Sequence, residues 1–188
     1  MLQTEREISV DLIQSAFVIA STTDILREKE KSHKQKVAYI SYCCAQKMGW
    51  EARLCQQAFI VGLIHDCGFS LKGKQEFLFA QTRSDLEQHD LMRGYLMLRE
   101  CPPFAQLAEP VLYQKTDWRS LQELTTISQC NKQMAALINL ATFIEDHVSL
   151  APLDQYQNVT KSVKNHIIHR VNYYSGTRFH PQHTECIR

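Results

Sequence analysis

Long segments of helical period, with almost no run of alternating period between them, constrain this chain more than any other feature. Its six glycines and five prolines fall mostly between those segments. The pattern predicts an all-α domain, a helical bundle of about seven helices. A first helix is expected from Val10 to Thr22. A second runs from Lys29 to Met48, with His33, Val37, Ile40, Cys44 and Met48 on one stripe, so His33 opens its buried face. The third, Glu51 to Cys67, is apolar on most sides between Ala58 and Ile64 and should be the central helix. Ser84-Asp-Leu-Glu87 has the form of a capping box opening a fourth helix to Glu100, with His89 in its second turn. Pro102-Pro103 end it, and a fifth helix, interrupted by Pro110, leads to Trp118. The segment from Arg119 to Cys130 shows no clear period. A sixth helix spans Asn131 to Val148, with Met134, Leu137, Ile138, Ala141 and Ile144 inward, and a seventh runs from Asp154 to Tyr174 before Gly176. Pro181 can begin a last short turn.

A chain of 188 residues, 44% hydrophobic, can close one full core, so residues 1–188 are expected to form a single domain. With 21 basic against 20 acidic residues there is no field or basic groove for nucleic acid. The longest apolar run, Ala58 to Ile64, is too short to span a bilayer, and the N-terminus lacks the pattern of a signal peptide. A cytoplasmic protein without membrane contact is expected. Seven cysteines, with Cys43 and Cys44 adjacent and no Cys-x-x-Cys, fit neither a disulfide framework nor a zinc knuckle and read as reduced, mostly buried hydrophobes.

The chemistry concentrates in Gly62-Leu-Ile-His-Asp-Cys-Gly68. His65 and Asp66 offer a neutral imidazole and a carboxylate to one point, which suits a divalent cation. The plainer alternative is a helix C-terminus with His65 satisfied locally and Gly68 as its left-handed cap. His33 and His89 also fall at helix ends or inward faces, so a bundle can bring them together. His166 and His169 lie three apart without a carboxylate and are expected to pack or face water, as are His180 and His183. No serine or cysteine carries the motif of an activated nucleophile, and no Gly-rich phosphate loop occurs.

Taken together, His33-Lys-Gln-Lys-Val-Ala-Tyr-Ile40, Gly62 to Gly68, His89-Asp-Leu-Met-Arg-Gly94, Val111-Leu-Tyr-Gln-Lys-Thr-Asp-Trp118 and Ile138-Asn-Leu-Ala-Thr142 resemble the HD superfamily of metal-dependent phosphohydrolases. Within it, the closer likeness is to the HD-GYP branch, which cleaves cyclic dinucleotides. Tyr174-Ser-Gly-Thr-Arg-Phe-His-Pro181 resembles the end of the first HD domain in bacterial proteins with two such domains in tandem. In active members the resemblance implies one metal on His33, His65, Asp66 and an aspartate of the Asn131 to Val148 helix. A second sits on His89 and a His-His pair, with a bridging water attacking phosphorus.

This chain departs from that scheme. Gln114 and Lys115 replace the His-His pair, Thr142 stands where the aspartate should be, and the Gly-Tyr-Pro signature after Trp118 is missing. Lys115 is expected to repel a second metal and to pair with Asp66 as a substitute charge. Thr142 removes the anionic ligand of the first site. Glu145 and Asp146 follow within a turn, about 5 Å along the axis, so they are either replacement ligands reaching back or a solvated helix end. Four residues before His33 stands Lys29 instead of an acid, with Glu30 next to it.

The resemblance therefore implies a degenerate HD-GYP-like domain, silent or weakly active, serving as a regulatory or interaction module in bacterial cyclic-dinucleotide signalling. The alternative is an active mononuclear phosphohydrolase, a phosphodiesterase or nucleotidase, using His33, His65 and Asp66, with Asp66 its catalytic carboxylate and His89 part of a partial metal site. Either one divalent metal (Mn, Fe, Mg, Ni or Zn) or none is expected. A homodimer or partner signalling domain and a small nucleotide ligand are the expected partners. Arg93, Lys72 or Lys74 could receive phosphate, or serve as ordinary surface charges.

Overall fold

The computed structural model describes residues 11–25, 32–69, 83–152 and 158–187. Among these, nine α-helices and one 3-10 turn form an all-α bundle, as the periodicity predicts. They are α1 (Leu12–Ile25), α2 (His33–Lys47), α3 (Ala52–Ile64), α4 (Arg83–Arg99), the 3-10 turn (Ala105–Leu107), α5 (Ala108–Tyr113), α6 (Trp118–Glu123), α7 (Gln129–Ser149), α8 (Lys161–Tyr173) and α9 (Pro181–Glu185).

The central position expected for Ala58 to Ile64 is observed. Ile60, Val61, Leu63 and Ile64 are at most 2% exposed, and α3 packs against α1, α2, α5 and α7. Helices α2 and α3 have similar lengths and are joined by a tight reversal at Gly49, whose φ of 74° lets Trp50 N–H return to Ala45 O at 3.0 Å. Antiparallel neighbours of equal length bring the start of the first beside the end of the second. Gly62 permits the close crossing: a Cβ there would lie 2.4 Å from Ala38 Cα. This hairpin carries His33 to His65.

Several boundaries differ from those the sequence suggests. Helix α2 starts at His33, not Lys29, because Ser32 adopts φ 65°, outside helical geometry; residues 26–31, including Lys29 and Glu30, lie outside the described residues. Helix α3 ends at Ile64, so His65 is its C-cap and Asp66 belongs to the following turn. Gly68 is not a left-handed cap, since the positive-φ glycines are Gly49 and Gly176. It is pressed against α4: a Cβ would stand 2.0 Å from Asp90 O and 2.3 Å from Gly94 N.

Ser84 falls inside α4. Pro110 does not interrupt α5, because it sits in the first turn, where its missing N–H breaks no helical bond. The segment without clear period contains α6, whose first amides, Trp118 N–H and Arg119 N–H, donate to Arg178 O and Thr177 O, both at 2.9 Å. A tertiary strap thus supplies what a local cap would. Ser128 Oγ accepts from Asn131 N–H at 3.1 Å to open α7, and Thr160 Oγ1 accepts from Val163 N–H at 3.4 Å to open α8 at Lys161. The expected start at Asp154 lies outside the described residues. All seven cysteines are free, with Cys44, Cys55, Cys67 and Cys186 buried, Cys43 and Cys101 half-buried and Cys130 exposed. No helix among the described residues is long and apolar enough to cross a membrane.

Candidate metal centre

His65, 3% exposed at the end of α3, donates from Nδ1 to the Gly62 carbonyl at 2.7 Å. That bond fixes the proton on Nδ1 and leaves Nε2 with a lone pair. Nε2 is buried and has no hydrogen-bond partner, an arrangement that costs free energy unless an electrophile accepts the pair. Asp66 Oδ2 lies 3.5 Å away, too far for a good hydrogen bond and suited to two donors of one ion with bonds of about 2.0–2.2 Å.

His33 comes from the other arm of the hairpin, its ring centroid 5.4 Å from that of His65. The ligand atoms of His33, His65 and Asp66 all lie within 4.8 Å of one another, and a second group of the same tightness joins His33 to Glu145 and Asp146. Glu145, only 2% exposed on α7, accepts a hydrogen bond from His33 Nδ1–H with Oε2. Its Oε1 accepts from Ser149 Oγ–H and from Lys36 Nζ, the latter at 3.3 Å.

The electrostatics follow from this packing. Burial pushes Glu145 toward its neutral form, but the His33 and Ser149 hydrogen bonds, the His33 charge and the Lys36 hydrogen bond outweigh it, holding the carboxyl at about 2. Burial opposes charge on His33 as well, yet the hydrogen bond and charge of Glu145, with Asp66 and Asp146 behind it, raise its pKa above the ordinary value. His65 is displaced downward, mainly by burial, with the positive charges of His33 and Lys34 adding to it. It is a neutral ligand-type imidazole.

The positions expected to hold a second metal are built otherwise. Gln114 is 2% exposed, and its amide donates to His65 O at 2.6 Å and Val111 O at 3.1 Å, bracing the turn that carries the His-Asp pair. Lys115 is exposed with Nζ 3.4 Å from Glu87 Oε2; it does not pair with Asp66. His89 is exposed on α4 and outside both clusters. Thr142 lies one turn before Glu145, half-buried, with an Oγ1 that has no partner. Asp146 is exposed.

The remaining candidates are accounted for by packing. Arg93 donates to Gly68 O at 2.7 Å and to Asp90 Oδ1 at 2.9 Å, tying α4 to the loop after α3. Lys72 and Lys74 lie outside the described residues. His166 and His169 are exposed. His180 Nδ1 accepts from Gln182 N–H at 3.1 Å to open α9, and His183 is buried against Trp50.

Two participants escape a reading of the sequence. Lys34 is 1% exposed, next to His33, and its charge acts on His65. Its signal is its place on a stripe with Ala38, Ser41 and Ala45, all buried. Lys36 anchors Glu145 across α2 and α7.

The donor set fits one divalent cation: two imidazoles, one carboxylate and an orphaned, buried Nε2. His33, His65 and Asp66 would hold it, and when bound it would polarise a phosphoryl oxygen or acidify a water.

Fold and site together define an all-α domain with a cluster of two histidines and a carboxylate that could hold a metal ion. Over 173 residues the chain is 38% identical to the 3′3′-cGAMP-specific phosphodiesterase 1 of Vibrio cholerae, an alignment covering 92% of this chain and 40% of that protein. The chain thus spans less than half the length of this curated relative. The homologue is, by its name, a phosphodiesterase of a cyclic dinucleotide, in keeping with the resemblance to phosphohydrolases. No family model and no solved structure matches the chain.

Proposed function

We propose that this chain is a regulatory domain of cyclic-dinucleotide signalling, a single HD-type domain that keeps one cation site on His33, His65 and Asp66 and does not hydrolyse phosphodiesters. The observation that carries this reading is the orientation of Gln114. At a position where the resemblance calls for a metal ligand, its amide is bonded to two backbone carbonyls. Exposure of His89 and the pairing of Lys115 with Glu87 point the same way, because neither side chain is turned to serve a second ion beside His65 and Asp66. A buried ammonium, Lys34, also weakens the electrophile that one ion can supply. The relative's cyclic dinucleotide suggests a small nucleotide as ligand.

A second reading, a mononuclear phosphohydrolase, is favoured by the unpartnered Nε2 of His65 beside Asp66. One experiment separates the two: metal content of protein purified without chelator, with hydrolysis of 3′3′-cGAMP followed in added manganese beside an Asp66→Ala control. Asp66-dependent metal without turnover is expected. Asp66-dependent turnover would overturn the regulatory reading.

A further inference from the structure

We propose that Glu145 is a positioning residue for the cation, replacing through His33 the negative charge missing at position 142. The inference rests on the reading that His33, His65 and Asp66 bind one ion.

Three observations carry it. Thr142 and Glu145 stand three residues apart on α7 and therefore share a face, so the carboxylate is displaced by one turn rather than lost. At the earlier position a hydroxyl is left without a partner; at the later one a buried carboxylate has a partner on each oxygen. Next, Ser149 and Lys36 hold Oε1, and Lys36 Nζ also lies 3.0 Å from Ser149 Oγ, so Glu145 is fixed from behind with Oε2 committed to His33 Nδ1. Finally, the two imidazoles share a tautomer. His65 donates a hydrogen bond from Nδ1–H to the Gly62 carbonyl and His33 donates one from Nδ1–H to Glu145, so in the neutral rings the Nε2 atoms are the lone pairs left for metal. A carboxylate behind a ligating histidine orients the ring and raises its basicity, and losing such a partner costs about 10–100-fold in metal affinity.

The test is a Mn²⁺ titration of the full chain, after chelator treatment and dialysis, read by the electron paramagnetic resonance of free Mn²⁺. Glu145→Gln is expected to weaken binding about 10–100-fold, and adding Thr142→Asp to that variant to recover at least about tenfold, with circular dichroism unchanged in both. Ser149→Ala, which removes a hydrogen bond to Oε1 at the exposed end of the network without changing any charge, should weaken binding several-fold even if the Glu145 variant does not fold. Binding by Glu145→Gln within about twofold of the parent, failure of Thr142→Asp to restore a folded Glu145→Gln protein, or unchanged affinity in Ser149→Ala would each overturn the inference. Asp66-dependent binding that ignores Glu145 removes this inference alone, whereas a parent chain that binds no Mn²⁺ removes the cation site with it. Turnover by the parent would overturn the regulatory reading and leave the role of Glu145 intact.

Discussion

His33 Nδ1 and Glu145 Oε2 are hydrogen-bonded across 112 positions of sequence, joining the first residue of α2 to the buried face of α7. The bond ties the hairpin that carries the His-Asp pair to the helix expected to complete the site. Its strength should be visible in stability as a function of pH.

Glu145 titrates at about 2 in the fold against an ordinary value of 4.5, so its stabilisation is complete above 4.5 and disappears as pH falls toward 2. At 1.36 kcal/mol per unit the acid limb is worth up to about 3 kcal/mol. His33 is shifted the other way: its contribution is complete below 6.5 and is lost as pH rises through its raised folded value. Urea denaturation of the metal-free chain between pH 2 and pH 8 should give greatest stability from this pair between those limits, and Glu145→Gln should flatten the acid limb. An unaltered acid limb in that variant would show that other carboxylates control it.

Lys34→Met should tighten Mn²⁺ binding. The residue is 1% exposed and its positive charge already disfavours protonation of His65, so it must disfavour a divalent ion on the same nitrogen more strongly. Isothermal titration of the folded variant measures this; weaker binding would mean that Lys34 instead positions the Asp66 carboxylate.

Gln114 and Lys115 should behave as opposites. Gln114→Ala strips a buried donor from the carbonyls of His65 and Val111 and is expected to cost about 1–3 kcal/mol. Lys115→Ala removes an exposed pair with Glu87 and should stay within about 1 kcal/mol, with metal affinity unchanged. Chemical denaturation of the two variants checks both, and a strong gain in metal affinity for Lys115→Ala would return that ammonium to the cavity.

Gly68→Ala should destabilise on the order of 3 kcal/mol, because a Cβ cannot fit 2.0 Å from Asp90 O without moving α4 away from the turn. Thermal melting measures the loss. A neutral result would mean that the loop after α3 yields at no cost.

The class of fold and most of its helices were legible because apolar spacing is a local record of which face is buried, and α3 is the clearest case, apolar all round and central. The pairing of His33 with His65 was within reach too, since two helices of similar length joined by a Gly49 reversal align start with end. What escaped had no local record. Helix α6 donates its first amide hydrogen bonds to the carbonyls of Arg178 and Thr177, and Gly68 is required by the backbone of α4 rather than by its own φ.

The sequence by itself determined the all-α bundle, the His65-Asp66 pair at the end of its central helix, and the presence of Gln114, Lys115 and Thr142 where the resemblance calls for ligands. Only the tertiary structure decided which way those side chains turn: Gln114 inward to the backbone, Lys115 outward to Glu87, and Glu145 back to His33. The physical reason is that a helical period fixes the face on which a residue stands, while the neighbouring helix that supplies a hydrogen-bond partner decides what a long polar side chain does there.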